Sequence, residues 1–117
     1  MRVVIKLDYP PKCGRYSDNQ YYKQGHWSKR DTDARYWHQR MLLEAPWNRP
    51  PLKKPVEITF LWNDRLDLSN HGTWAKMLED GIKGRIIKDD SRKYVVGINH
   101  KWHNENNIKI IIEEVAE

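Results

Sequence analysis

Between Val56 and Trp62 apolar side chains recur at every second residue. Val56, Ile58, Phe60 and Trp62 fall on one side, and Glu57, Thr59 and Leu61 on the other. A period of two marks a strand with one face buried. Pro46, Pro50, Pro51 and Pro55 precede it, so no helix runs into this segment. Beyond it, Trp74, Met77, Leu78 and Ile82 recur at helical spacing within residues 70–83, and Gly84 is placed to end that helix. A strand followed at once by an amphipathic helix frames the rest of the chain.

The flanking segments follow the same logic. Val3, Ile5 and Leu7 alternate, giving a short strand over residues 2–7 that Pro10, Pro11 and Gly14 stop. Residues 9–27 read as a long polar loop. Ser28 is placed as an N-cap, with Asp31 and Asp33 in the first turn. Ala34, Trp37, Met41 and Ala45 then give a helix over 29–45. Tyr94, Val96, Ile98, His100 and Trp102 alternate within 93–102, and Ile108, Ile110 and Ile112 follow a turn at 103–107, which predicts a C-terminal hairpin. The expected order is β-α-β-α-β-β. That is one α+β domain over residues 1–117, a mixed sheet of about four strands carrying two helices on one face. The other face, or an edge, is left for a partner.

Charge is unevenly spread. Residues 1–55 hold 12 Lys+Arg against 5 Asp+Glu, whereas residues 56–117 hold 9 against 11, within a net charge of +5. A basic first half favours a polyanionic partner. Lys12, Arg15, Lys23, Lys29 and Arg30 are the candidate phosphate contacts, and Trp27 is a candidate stacking platform for a base. Cys13 is the only cysteine, which excludes an intrachain disulfide and a four-cysteine zinc site. No apolar signal segment or membrane-length run is present, so the expectation is a soluble protein of the cytoplasm with no membrane partner.

The acidic second half carries the candidate chemistry. Asp67 stands where the 56–62 strand has ended, and Asp89 and Asp90 stand before the next strand. If the two strands are neighbours, the three carboxylates converge. Two or three carboxylates with waters are the usual ligands of Mg²⁺, which polarises a phosphodiester and activates water. Lys76, within the intervening helix, is placed to meet the phosphate or the leaving oxygen.

These residues resemble the RusA-type Holliday junction resolvases. The similarity lies in DLSN at 67–70, KMLEDGI at 76–82 and KDDS at 88–91. In the first half it lies in Tyr9-Pro10-Pro11, Arg15-Tyr16 and the basic aromatic segment from Ser28-Lys29 to Arg40. The resemblance implies an endodeoxyribonuclease of phage or prophage origin. Such an enzyme is dependent on Mg²⁺, with Mn²⁺ as a substitute. It works as a homodimer in the bacterial host cytoplasm and nicks opposite strands of a four-way DNA junction during recombination and repair. Asp67, Lys76 and Asp90 match its catalytic residues, and Asp67, Asp89 and Asp90 its metal ligands. The chain departs from the pattern at Ser69, where the family usually has a second aspartate, and the step from Asp67 to Lys76 is longer by roughly one helical turn. His71 lies close by, though imidazole suits Mg²⁺ poorly.

Plainer readings compete with each of these. Lys76 with Asp80, and Glu79 with Lys83, stand at the i,i+4 spacing of ordinary helix salt bridges. Asp89-Asp90-Ser91 suits a turn. Ser69 and Asn70 suit helix caps, and Asp64 reads as a loop charge. Trp37, Trp62 and Trp74 occupy core positions. His26, His100 and His103 are too scattered for zinc. The alternative to an enzyme is a catalytically impaired DNA-binding or phage interaction protein on the same scaffold, which Ser69 favours.

Overall fold

The computed structural model describes residues 1–24 and 27–115; the side chains of residues 23, 24, 27 and 28 are outside the description. Four strands form one mixed sheet: β1 (Arg2–Leu7), β2 (Val56–Trp62), β3 (Val95–Trp102) and β4 (Ile108–Glu114), in the spatial order β1-β4-β2-β3. Three α-helices accompany it: α1 (Asp18–Gln24), α2 (Trp27–Glu44) and α3 (Gly72–Ile82). This is the expected α+β domain with one additional short helix. No helix among the described residues is long and apolar enough to cross a membrane.

The alternations decide which face of the sheet is covered. Val56, Ile58, Phe60 and Trp62 of β2 are buried with Ile108, Ile110 and Ile112 of β4 and Ile5 and Leu7 of β1. Against them pack Trp37, Met41 and Ala45 of α2 and Trp74, Met77, Leu78 and Ile82 of α3. Each large apolar side chain so buried contributes about 1.5–3 kcal/mol. Gly84 has a φ of 78° and follows the last turn of α3, the left-handed position that lacks a Cβ penalty in glycine.

Three expectations are corrected. The segment 9–27 is not a continuous loop: a 3₁₀ turn (Gly14–Tyr16) and α1 lie within it. Its polar composition hides the helix, because among the described side chains of α1 Tyr21 is the apolar one packed against the core. Next, α2 begins at Trp27, so Ser28 lies inside the helix and not at its cap. The C-terminal hairpin is also absent. β3 pairs parallel with β2, and β4 pairs antiparallel with β1 and with the other side of β2. The 103–107 loop crosses the end of β2, tied there by the His103 N–H donating to the Trp62 carbonyl (3.0 Å). β4, with four isoleucines in five residues, takes the central place where both edges are paired. β3 takes the edge, beyond the cover of the helices, so its Val96, Ile98 and Trp102 stay exposed.

The two long helices meet at Gly81, where an added Cβ would stand 2.8 Å from both Cβ and Cγ of Met41. Met41 is fully buried and has no room to swing away. Gly81→Val is therefore expected to lower stability by about 1–3 kcal/mol through overpacking, read as a fall in the urea midpoint. An unchanged midpoint would show that the helices do not meet there.

Candidate functional site

The turn out of β2 is built on a buried carboxylate–imidazole pair. His71 is fully buried, with Nδ1 2.9 Å from the Leu68 carbonyl and Nε2 2.9 and 3.0 Å from the two Asp64 oxygens. Both ring nitrogens face oxygen acceptors, an arrangement that a doubly protonated ring satisfies. Asp64 also accepts from the Leu66 N–H (2.9 Å) and the Tyr9 hydroxyl (3.0 Å). Burial pushes the Asp64 carboxyl up, but the His71, Leu66 and Tyr9 donors outweigh it and hold it below the ordinary range. The Tyr9 hydroxyl is pushed well up, chiefly by burial. Trp62 stacks on His71 at 4.1 Å and donates its Nε1 hydrogen to His100 Nδ1 (3.0 Å). His71 has no nitrogen left for a metal, and Asp64 is a buried anchor, not a loose loop charge.

This pair brackets Asp67 and Ser69. Asp67 is the exposed N-cap of a 3₁₀ turn (Leu68–His71) that leads directly into α3. Its side chain makes no capping bond. The Asn70 N–H donates instead to the Asp67 backbone carbonyl (2.9 Å). The start of α3 is capped from another element: Asp18 of α1 accepts from the Thr73 N–H at 2.7 Å. That carboxylate also opposes the helix dipole.

A second cluster sits on the outer face of α3. Lys76 makes a short contact with Asp90 and stands 3.5 Å from Glu79 and 3.4 Å from Asp80. Lys83 stands 3.7 Å from both Asp89 and Asp90, turning to these rather than to Glu79. The Asp90 hydrogen bond raises the Lys76 pKa well above its ordinary value, so the ammonium stays charged. The same bond holds Asp90 below the ordinary carboxylate range, whereas burial raises Glu79. The fold thus joins Lys76 to Asp90 and Asp89 through Lys83.

Asp67 joins this cluster by no contact. β2 and β3 are parallel, with Val56 beside Val95 and Trp62 beside Trp102. The end of β2 and the start of β3 therefore lie at opposite ends of strands about 20 Å long, and strand adjacency does not itself bring Asp67 to Asp89 and Asp90. Among the described residues no three His, Cys, Asp or Glu side chains gather as a metal-holding group. The donor chemistry, carboxylate oxygen throughout, fits Mg²⁺. The arrangement does not yet fit it, since Asp90 is held by two lysines.

The basic half is only partly free. Arg15 is bound through Nη2 to the buried Asp33 and lies over the Tyr16 ring at 5.3 Å. Tyr21 also donates to Asp33 (2.7 Å). Lys12 is exposed with no ion-pair partner among the described residues. Lys29 is exposed and Arg30 half-buried at the start of α2. The side chains of Lys23 and Trp27, and all of His26, lie outside the described residues. Sequence reasoning missed Asp18, whose partner lies 55 residues away, and read Asp33 as a first-turn charge, whereas it lies past the first turn of α2 and binds Arg15, 18 residues away. No protein-family model matches the chain, and no curated protein does.

Two outcomes check this geometry. His71→Leu leaves Asp64 buried without its ring partner and is expected to cost about 3 kcal/mol, read from chemical denaturation; a loss under about 1 kcal/mol, the worth of an exposed pair, would contradict the buried pair. Asp90 has a depressed folded pKa, so its contribution to stability is present above about pH 4 and lost as pH falls through the folded value. Lys76 has a raised one, so its contribution is present below about pH 10 and lost as pH rises through the folded value. In a carboxyl NMR titration Lys76→Met is expected to move the Asp90 midpoint upward; an unmoved midpoint would dissolve the pair.

Proposed function

We propose that this chain is a structure-selective endodeoxyribonuclease that cuts four-way or other branched DNA. One observation carries the reading most. Lys76 and Asp90, 14 residues apart in sequence, meet side chain to side chain at a solvent-facing position. They are also the helix lysine and post-helix aspartate of the resolvase pattern. An ammonium that stays charged at neutral pH can, once freed from its carboxylate partners, offset charge on the phosphate as the bond breaks. Lys12, Lys29 and Arg30 supply further positive charge from the first half, which supports attraction of a nucleic acid.

Asp67, Asp89 and Asp90 are the residues that would hold Mg²⁺, which when bound polarises the phosphate and activates water. Holding it requires Asp90 to exchange its lysine partners and Asp67 to approach. The chain's own residues have defined tasks. Asp64 and His71 anchor the loop that carries Asp67. Lys76, once released by Asp90, would neutralise phosphate. Paired nicks need two sites related by a twofold axis, so the working form is a homodimer. The exposed Val96, Ile98 and Trp102 of edge strand β3 offer it apolar surface. The compartment is the bacterial cytoplasm.

A second reading, a DNA-binding protein without cleavage, is favoured by the neutralisation of Asp90 and by Ser69. The test is a labelled four-way junction incubated with and without Mg²⁺ or Mn²⁺. Cleavage is expected with the metal, abolished by Asp67→Asn and Asp90→Asn with junction binding retained, and slowed by Lys76→Ala. Ser69→Asp is expected to raise the rate or lower the metal requirement. Light scattering is expected to report twice the chain mass. If neither the wild type nor Ser69→Asp cuts any branched DNA, the binding-protein reading replaces the enzyme.

A further inference from the structure

A groove of about 460 Å³ lies between the Pro-Pro turn after β1 and the outer side of α2. Asp67, Asp89 and Asp90 do not line it. Its size falls among clefts for small ligands, about 300–1,000 Å³. Pro10, Pro11, Lys12, Arg15, Tyr16 and Tyr36 are among its lining residues.

Tyr36 is the informative residue. The residue is 42% exposed, yet its ring is held: Arg40 donates Nη1 to the Tyr36 hydroxyl at 3.0 Å, and the ring meets Trp37 edge-on at 5.2 Å. An exposed aromatic ring braced from behind loses little freedom when a second flat group packs on it. The one acid in the groove, Asp33, is already matched by Arg15 and Tyr21. Arg15 and Asp33 offset one another, which leaves Lys12 to set the charge of the groove. An aromatic platform beside cations is the chemistry that holds single-stranded nucleic acid, with the base on the ring and the phosphate on the cation.

We propose that this groove takes one unpaired nucleotide of a DNA strand, its base packed on Tyr36 and its phosphate on Lys12. The inference rests on the branched-DNA reading for the source of that strand, since branch points expose unpaired bases. It assigns Tyr36 a role separate from the Lys76–Asp90 cluster.

The test is fluorescence anisotropy with a labelled ten-residue oligo-dT and an abasic oligomer of equal length, in EDTA so that cleavage plays no part. Oligo-dT is expected to bind more tightly than the abasic strand. Tyr36→Leu is expected to weaken oligo-dT binding roughly five- to a hundredfold, the range of one lost base stack, and to leave abasic binding unchanged. Tyr36→Phe, which keeps the ring, is expected to restore the preference. Lys12→Ala is expected to weaken both strands and flatten their salt dependence. Equal binding of the two oligomers, or Tyr36→Leu without effect while its melting curve stays native, would overturn the site. Junction cleavage is scored separately: ring-dependent oligo-dT binding without cleavage removes the enzyme and keeps the groove, and cleavage without ring-dependent binding does the reverse.

Discussion

The Asp64–His71 pair turns the chain from β2 into α3, and the geometry of the second half hangs on it. A carboxylate and an imidazole taken out of water cost several kcal/mol unless every donor and acceptor is matched. Here they are matched: Tyr9, the Leu66 N–H and the Leu68 carbonyl complete the set, and Trp62 covers the ring. Because Tyr9 also accepts from the Asn63 N–H at 2.6 Å, the chain after β1 and the chain after β2 are tied at one point. Asp67 and Ser69 lie between the two members of the pair, so the exposed turn that presents them is set by a buried contact.

The helix that follows serves two environments at once. Its inner side buries Trp74, Met77, Leu78 and Ile82 against the sheet, its outer side carries Lys76 and Asp80, and Lys83 follows as its C-cap. Asp18 steadies its first turn from α1, and Gly84 ends it. The outer charges are therefore mounted on an element that the core holds rigid. Lys76 is thereby held in place on α3, and it meets Asp90 from the loop between α3 and β3.

The elements whose residues answer to one neighbour repeated at a fixed period were legible in the sequence. β2, the inner face of β4, and the stripes Trp37-Met41-Ala45 and Trp74-Leu78-Ile82 all fall where periodicity puts them. The features that depend on a partner far along the chain were not. α1 has no apolar stripe to announce it, since it is held by Tyr21 and by the Asp18 cap on α3. The place of β4 between β1 and β2 is a competition between strands for the centre of the sheet, and a turn at 103–107 reads the same whether the chain folds back or steps across. Asp64 looked like a loop charge and Asp33 like a first-turn charge of the helix, because burial is decided by what packs over them. For the site, Lys76 and Asp90 were legible as residues but their direct contact was not. The convergence of Asp67 with Asp89 and Asp90 assumed that neighbouring strands share an end, and a parallel crossover separates those ends.

An ammonium–carboxylate couple, a basic first half and an apolar edge strand are the features from which we propose a dimer that holds branched DNA and cuts it twice. The most direct measurement is digestion of a supercoiled plasmid that extrudes a cruciform, in Mg²⁺, with product topology scored on a gel. Two coordinated nicks across the junction convert the plasmid straight to the linear form, which is the expected result, and Asp90→Asn removes it. A plasmid that stays supercoiled in Mg²⁺ and in Mn²⁺, with the protein bound to it, would contradict cleavage by this chain.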